Sequence, residues 1–195
     1  MTIPRQFSNS EQSAYPCRIA WQRAIAYLLC LSLIALSLQG LFVTPAAAAI
    51  RTLEEGPGQI VYQTRSTLVD DRGNAWQAIV FQRDCRGQLD PLRLRLVGFP
   101  GQAAIAHPAP LTLSDDLGTV ITAPDDTEAI FHNRNAPEAH IAQYDLSTAI
   151  DQIPIAIPLT LRIPSATADT IVLHVAPGVL QEWREVNAIA AAAVD

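Results

Sequence analysis

Leucine and arginine alternate along residues 92–96, where Leu92, Leu94 and Leu96 are separated by Arg93 and Arg95. A period of two places the leucines on one face of an extended strand and the arginines on the other. The strand therefore has one dry face and one solvated face. The pattern favours an antiparallel β fold.

The residues before this strand predict two more strands and two tight turns. Segments 60–69 and 75–83 are rich in β-branched and aromatic residues, and Gly73 lies in the turn between them. Glycine adopts a positive φ at little cost, so the two segments are predicted to form a hairpin. A second turn at 84–88 leads into the leucine–arginine strand. Three consecutive strands joined by tight turns make an antiparallel meander.

The rest of the chain predicts further strands and two helices. Ser147 is predicted to cap a short helix that runs through Ile153, and Pro177 to open a longer C-terminal helix. Residues 123–139 combine proline, asparagine and charge, which predicts a long loop. We expect a mainly β fold, either an antiparallel β-sandwich or a partly closed barrel, with both tryptophans of this part, Trp76 and Trp183, in the core. The further strands are predicted at 110–113, 119–122, 159–163 and 170–175.

The first 49 residues predict a secretory signal peptide. Basic residues precede an apolar run over 24–43, and four alanines occupy positions 46–49. This order of basic, apolar and small residues is typical of a secretory signal, with cleavage expected after Ala48 or Ala49. An uncleaved membrane anchor is the alternative, because twenty apolar residues can span a bilayer. In either case the remainder of the chain is expected outside the cytoplasm.

Residues 50–187 are predicted to form a single β-rich domain, followed by an alanine-rich tail at 188–195. From Ile50 onward the chain has ten arginines, no lysine and eighteen acidic residues, a formal net charge of −8. Such a balance argues against binding to nucleic acid or to anionic lipids. Cys85 is the only cysteine of this part, so no intramolecular disulfide is possible. Its thiol is buried, free or paired between chains.

Several short segments spread over the predicted domain have a recognisable pattern. They read Leu-Arg-Leu-Val-Gly-Phe-Pro-Gly at 94–101, His-Pro-Ala-Pro-Leu at 107–111, Gln-Tyr-Asp-Leu at 143–146, Pro-Leu-x-Leu at 158–161 and Glu-Trp at 182–183. In these segments the chain resembles a family of small exported proteins known from cyanobacteria and catalogued as a domain of unknown function. The resemblance covers about residues 58–183. It implies a photosynthetic bacterial host and export to the periplasm or thylakoid lumen, and no activity, cofactor or catalytic residue.

Two arginines are candidates for contact with a partner. Arg93 and Arg95 share one strand face, and Arg65 or Arg83 is expected to neighbour them in the meander. Clustered guanidinium groups can bind carboxylates on a ligand or partner. The alternative is a solvated sheet face balanced by the many aspartates.

Phe99 and His107 are two further candidates for contact with a partner. Phe99 lies in the sequence Gly-Phe-Pro-Gly at 98–101, where glycine permits close approach and proline fixes φ. This turn is either a rigid lip of a binding site, with His107 nearby, or a strand terminator that seats Phe99 in the core. The second interpretation is favoured.

No metal, cofactor or catalytic residue is assigned. His132, Glu138 and His140 lie in one polar loop but match no zinc spacing. The acidic pairs at 115–116 and 125–126 lack a calcium-loop pattern and are expected to be turn residues. Signatures of a serine nucleophile, a phosphate-binding loop and a dinucleotide fold do not occur.

Three classes of function remain open. The first is an exported, non-catalytic binding or assembly module of the periplasm or thylakoid lumen, which the missing reaction machinery favours. The second is a carrier of a small apolar ligand in the mouth of a barrel. The third is an enzyme built around His107, Cys85 or a loop carboxylate. The expected partner is a protein or a small ligand, and contact with a membrane is expected only through an uncleaved signal segment.

Overall fold

The computed structural model describes residues 50–131, 137–167 and 169–193. The predicted signal peptide, His132 and the last two residues of the alanine-rich tail lie outside the described residues. Within them the chain forms nine strands and one α-helix, and no helix there is both long and apolar enough to cross a membrane. The elements are β1 (Arg51–Gly56), β2 (Gln59–Val69), β3 (Ala75–Cys85), β4 (Arg93–Val97), β5 (Leu111–Ser114), β6 (Val120–Ala123), β7 (Ile141–Asp145), β8 (Leu159–Ile163), β9 (Ile171–Val175) and α1 (Pro177–Ala192).

The strands form two antiparallel sheets. The larger sheet has the order β1-β2-β3-β4-β7 and the smaller has the order β6-β5-β8-β9. The predicted meander is confirmed as β2-β3-β4, and its two flanking strands, β1 and β7, extend it beyond the sequence prediction. The fold is therefore mainly β and consistent with the predicted sandwich. Neither sheet closes on itself, so the described strands do not form the partly closed barrel that was the alternative.

One hydrophobic core joins both sheets to α1. Val80 and Leu94, at even-numbered positions of β3 and β4, point into it and are fully buried. Trp76 and Trp183 are 1 % and 0 % exposed, which confirms that both are core residues. The helix begins at Pro177 as predicted, because proline at the first helical position costs no hydrogen bond. It packs against β2 and β3.

Three local predictions differ from the structure. Ser147 caps no helix: its Oγ accepts a hydrogen bond from the backbone N–H of Leu92 at 3.0 Å, and only a 3₁₀ turn forms at Ile150–Gln152. The loop predicted at 123–139 contains a 3₁₀ turn, Thr127–Ala129, whose first residue is buried. Helix α1 continues through the first residues of the alanine-rich tail, because the small side chain of Ala190 packs into the core.

Candidate functional site

The outer face of the larger sheet concentrates positive charge. Strand register aligns Arg65, Ile79 and Arg95 in one row across β2, β3 and β4. Side chains directly opposite each other in an antiparallel sheet share a face, so the same face holds five of the ten arginines found from residue 50 onward. We call this surface the arginine face; it consists of Arg51, Arg65, Arg83, Arg93 and Arg95.

An aromatic ring lies at the centre of the arginine face. Phe81 points away from the main core, yet it is only 4 % exposed. The guanidinium carbons of Arg83 and Arg95 each lie 5.1 Å from the centroid of its ring, so the two side chains cover it. A guanidinium at this distance is attracted to the electron-rich face of the ring. Phe81 therefore holds two cations close together on a solvated sheet.

The arginines differ in how their charge is compensated. Arg83 pairs with Glu55 at 3.1 Å, and Arg93 pairs with Asp126 at 2.7 Å and Asp90 at 3.3 Å. These three carboxylates balance two of the five guanidinium groups. The contacts of Arg95 are of another kind.

Arg95 has a neutral partner. Its Nε and one terminal nitrogen donate to the amide oxygen of Gln143 at 3.2 and 2.8 Å, and no carboxylate of the described residues lies within ion-pair distance. Burial lowers the pKa of Arg95, repulsion from Arg83 and Arg93 lowers it further, and Glu55 opposes the shift. An arginine stays protonated despite such a shift. Arg95 is thus a half-buried, oriented cation with no counter-ion among the described residues.

A chain of hydrogen bonds orients this cation. Gln143 donates its amide N–H groups to the side chain and the backbone carbonyl of Asp126, at 3.1 and 3.3 Å. Asp126 also accepts from Arg93, so Arg93, Asp126, Gln143 and Arg95 form one connected network. Gln143 is 2 % exposed and cannot rotate freely. The guanidinium plane of Arg95 is therefore preorganised.

The structure brings together the arginines that the sequence singles out. Arg93 and Arg95 share a face as predicted, Arg65 lies in the same row as Arg95, and Arg83 lies across Phe81. Whether this face binds a partner stays a prediction. Phe99 and His107 contribute to other parts of the molecule.

Phe99 lies in the turn after β4 and is 60 % exposed, so the favoured expectation that it is seated in the core is wrong. The neighbouring Gly98 explains the turn: a Cβ there would lie 2.9 Å from the ring of Trp76. The chain leaves the sheet against that ring, and Phe99 is directed into solvent.

A cleft of about 290 Å³ opens beside this turn. Residues 100–104, Arg72, His140 and Ser165 are among those that line it, and Arg72 pairs with Asp169 at 2.7 Å. The lining includes charged and hydroxyl side chains. The predicted carrier function relied on a barrel mouth, which the two open sheets of the described chain do not provide.

His107 is a largely buried residue, with its side chain 11 % exposed. Its Nδ1 lies 3.0 Å from Asp125 Oδ2, and the same oxygen accepts the backbone N–H of Ala109. Burial raises the pKa of Asp125, but hydrogen bonds from Thr127, His107 and backbone N–H groups outweigh it and lower the pKa. A histidine–aspartate pair can activate a nucleophile through the other ring nitrogen. Here Nε2 is buried and makes no hydrogen bond within the described chain. The bonds of Asp125 to His107 and Ala109 anchor the loop before β5.

Three residues of the site are not assigned to it from the sequence: Phe81, Asp126 and Gln143. The acidic pair at 125–126 was expected to consist of turn residues, but its members point in opposite directions, one to His107 and the other to Arg93. Asp126 precedes the 3₁₀ turn and has left the extended conformation, with φ −121° and ψ 26°, so the chain bends between the two contacts.

Metal-ligating side chains do not cluster in the described part of the chain, and its one cysteine is free. It contains no group of three histidine, cysteine or acidic side chains placed to hold a metal ion. Nε2 of His140 lies 3.6 Å from Oε2 of Glu138, and His132 of the same loop is outside the described residues. Cys85 is half-buried at the end of β3 and forms no disulfide there.

A family model described as "Protein of unknown function (DUF3122)" matches residues 48–186. The chain belongs to this family. The DUF3122 match includes all nine strands and the first part of α1, so the arginine face lies entirely within the family domain. No curated protein and no solved structure matches the chain.

Proposed function

We propose that this DUF3122 protein is an exported, non-catalytic binding module that holds carboxylates of an acidic protein segment on its arginine face. The signal pattern of residues 1–49 supports export, and the sequence resemblance supports the periplasm or thylakoid lumen of a cyanobacterium as the destination. The observation behind the binding role is Arg95, a preorganised cation for which the described part of the chain supplies no counter-ion.

The chemistry of the face favours a carboxylate. A guanidinium presents parallel N–H donors that match the two oxygens of a carboxylate, and a charge-assisted pair is stronger than a neutral hydrogen bond. Gln143 occupies one side of Arg95, which leaves its remaining donors for a ligand. An arriving carboxylate would also relieve the repulsion that Arg83 and Arg93 exert on Arg95.

The net charge of the chain does not prevent this contact. Charges on exposed surfaces are screened over about 8–10 Å at physiological ionic strength. A ligand at the arginine face therefore responds mainly to the local cluster of guanidinium groups. Binding should weaken as salt is added.

The experiment uses the purified protein and a fluorescent oligoglutamate peptide. Arg95→Gln should raise the Kd about tenfold, because a charge-assisted hydrogen bond contributes about 1.5–3 kcal/mol. The matched control is Arg162→Gln, which removes the same charge from an exposed position in β8 of the smaller sheet and should leave the Kd within about twofold. Equal affinity of the two variants for the peptide would refute the binding role.

A competition measurement tests the ligand class. Inorganic phosphate also fits a guanidinium fork. If phosphate displaces the peptide as well as free glutamate does, the face recognises phosphate groups and the carboxylate proposal is wrong. If glutamate competes better, the proposal stands.

A further inference from the structure

Strand β1 is an open edge of the larger sheet. Among the described residues it pairs only with β2, so the other side of its backbone faces no strand. Its first five residues are exposed. Edge strands of this kind are usually protected by proline, lysine or a bulge, because their free N–H and C=O groups can pair with another chain. Here Arg51–Glu54 is regular, and the only irregularity falls between Glu54 and Gly56.

The sequence of β1 is complementary to itself. In an antiparallel pair of two copies with Leu53 opposite the partner's Leu53, Arg51 faces the partner's Glu55 and Thr52 faces the partner's Glu54. The two charged residues lie on the same face of the strand. Register places Arg51 opposite Gln63 on the arginine face, and Glu55 reaches Arg83 on that face. The pairing thus places Arg51 of each chain beside the partner's Glu55, which also contacts Arg83 of its own chain.

Neighbouring registers lack this match. In a two-fold symmetric pair, residues opposite each other lie on the same face of the sheet. The axis therefore passes beside a residue and never between two residues, so alternative registers differ in which residue lies on the axis. Centring the pair on Thr52 places Arg51 opposite Leu53. Centring it on Glu54 places two glutamates directly opposite each other, which is repulsive. Of these three registers, only the one centred on Leu53 places Arg51 opposite a glutamate.

We propose that β1 pairs with β1 of a second copy of this chain, in the register centred on Leu53. The two five-stranded sheets then form one continuous sheet, and the two arginine faces lie on the same side of it. A contact of five residues per chain is smaller than the interfaces of stable dimers, which bury about 1,200–2,000 Å². The dimer is accordingly weak and depends on protein concentration. This inference does not rest on the proposed ligand.

The test is disulfide cross-linking in the full chain, with Cys17, Cys30 and Cys85 changed to serine. One variant adds Leu53→Cys and the control adds Glu54→Cys, at two exposed positions of the same strand. Residues directly opposite each other have Cα atoms about 4.5–5.5 Å apart, within reach of a disulfide. The partner's residue 54 is displaced by about 7 Å along the strand, which is out of reach.

Mild oxidation should cross-link L53C at least tenfold more than E54C, as measured on a non-reducing gel. Adding Arg51→Glu should reduce the L53C cross-link several-fold, whereas Arg65→Glu, on the same face but away from the edge, should not. Circular dichroism checks that each variant is folded. Equal cross-linking at positions 53 and 54, or none at 53 in a folded chain, overturns the proposal. So does an Arg51→Glu variant that cross-links unchanged.

Discussion

The indole Nε1 of Trp76 donates a hydrogen bond to Oδ2 of Asp70 at 3.1 Å inside the protein. The same carboxylate closes the turn between β2 and β3. Its Oδ1 accepts the backbone N–H groups of Arg72 and Asn74 at 2.9 and 2.8 Å, and its Oδ2 accepts the side-chain amide of Asn74. Asp70 therefore links a surface turn to one of the two tryptophans of the core.

We predict that Asp70→Ala lowers the free energy of unfolding by about 2–3 kcal/mol, because it leaves the buried indole N–H and the turn N–H groups without their acceptor. Urea denaturation measures the loss. The matched control is Asp115→Ala, which removes another turn carboxylate, half-buried, that accepts the backbone N–H groups of Leu117 and Thr119 but no indole N–H. The control should destabilise the protein less. Equal losses would mean that the bond to Trp76 adds nothing.

The stability of the protein should decrease in acid. Burial raises the carboxyl pKa values of Asp70 and Asp125, but hydrogen bonds, from Asn74 in one case and Thr127 in the other, bring both pKa values below the ordinary 3.8. A carboxylate with a lowered pKa stabilises the folded state fully above the pKa of the unfolded chain, and this contribution is lost as the pH falls through the folded pKa. The free energy of unfolding should therefore stay level from about pH 7 to 5 and fall below about pH 4.

The acid dependence can be assigned by substitution. Asp125→Asn removes one of the titrating groups, so its unfolding free energy should start lower at neutral pH and fall less steeply below pH 4. Urea denaturation at a series of pH values checks both features. A variant with the same acid slope as the wild type would contradict the role of Asp125.

Gly98 is predicted to be intolerant of a side chain. A Cβ at this position would lie 2.9–3.1 Å from three carbons of the Trp76 ring, which is fully enclosed. Overpacking of this kind costs about 1–3 kcal/mol, so Gly98→Ala should lower the midpoint of urea denaturation. Gly178→Ala, in the first turn of α1 with no atom within 4 Å of the new Cβ, should leave the midpoint unchanged or raise it. A neutral Gly98→Ala would show that the ring moves.

Burial on one face explains which strands could be predicted from the sequence. In β4, fully buried leucines alternate with half-buried arginines, so its period is visible in the sequence. In β1 the first five residues are exposed, and no hydrophobic pattern marks it. In β7 the neighbours Ala142 and Gln143 are both buried, one in the core and one beneath the arginine face, which hides the alternation. Strands such as β1 and β7 can be assigned only once the strands that they pair with, β2 and β4, are known.

The arginine face could be predicted in part for a similar reason. Arg93 and Arg95 share a face because residues two apart in a strand point to the same side of the sheet. Their partners Asp126 and Gln143 lie 33 and 48 residues further along the chain. Those contacts depend on β7 pairing with β4, a long-range choice that no local pattern contains. His107 is a candidate because it lies near the Phe99 turn in the sequence, and its bond to Asp125, 18 residues further along the chain, likewise depends on the fold.

Phe81 and Arg95 are in direct contact on the arginine face. The ring is 4 % exposed on the outer face of the larger sheet, where Arg83 and Arg95 lie over it. Phe81→Leu should lower the free energy of unfolding by about 1–2 kcal/mol, since it removes ring area and the attraction to both cations. A double-mutant cycle of Phe81→Leu with Arg95→Gln should give a coupling energy of about 0.5–1 kcal/mol. The same cycle with Arg162→Gln, on the other sheet, should give a coupling near zero, and equal couplings in the two cycles would show that the ring does not hold Arg95 in place.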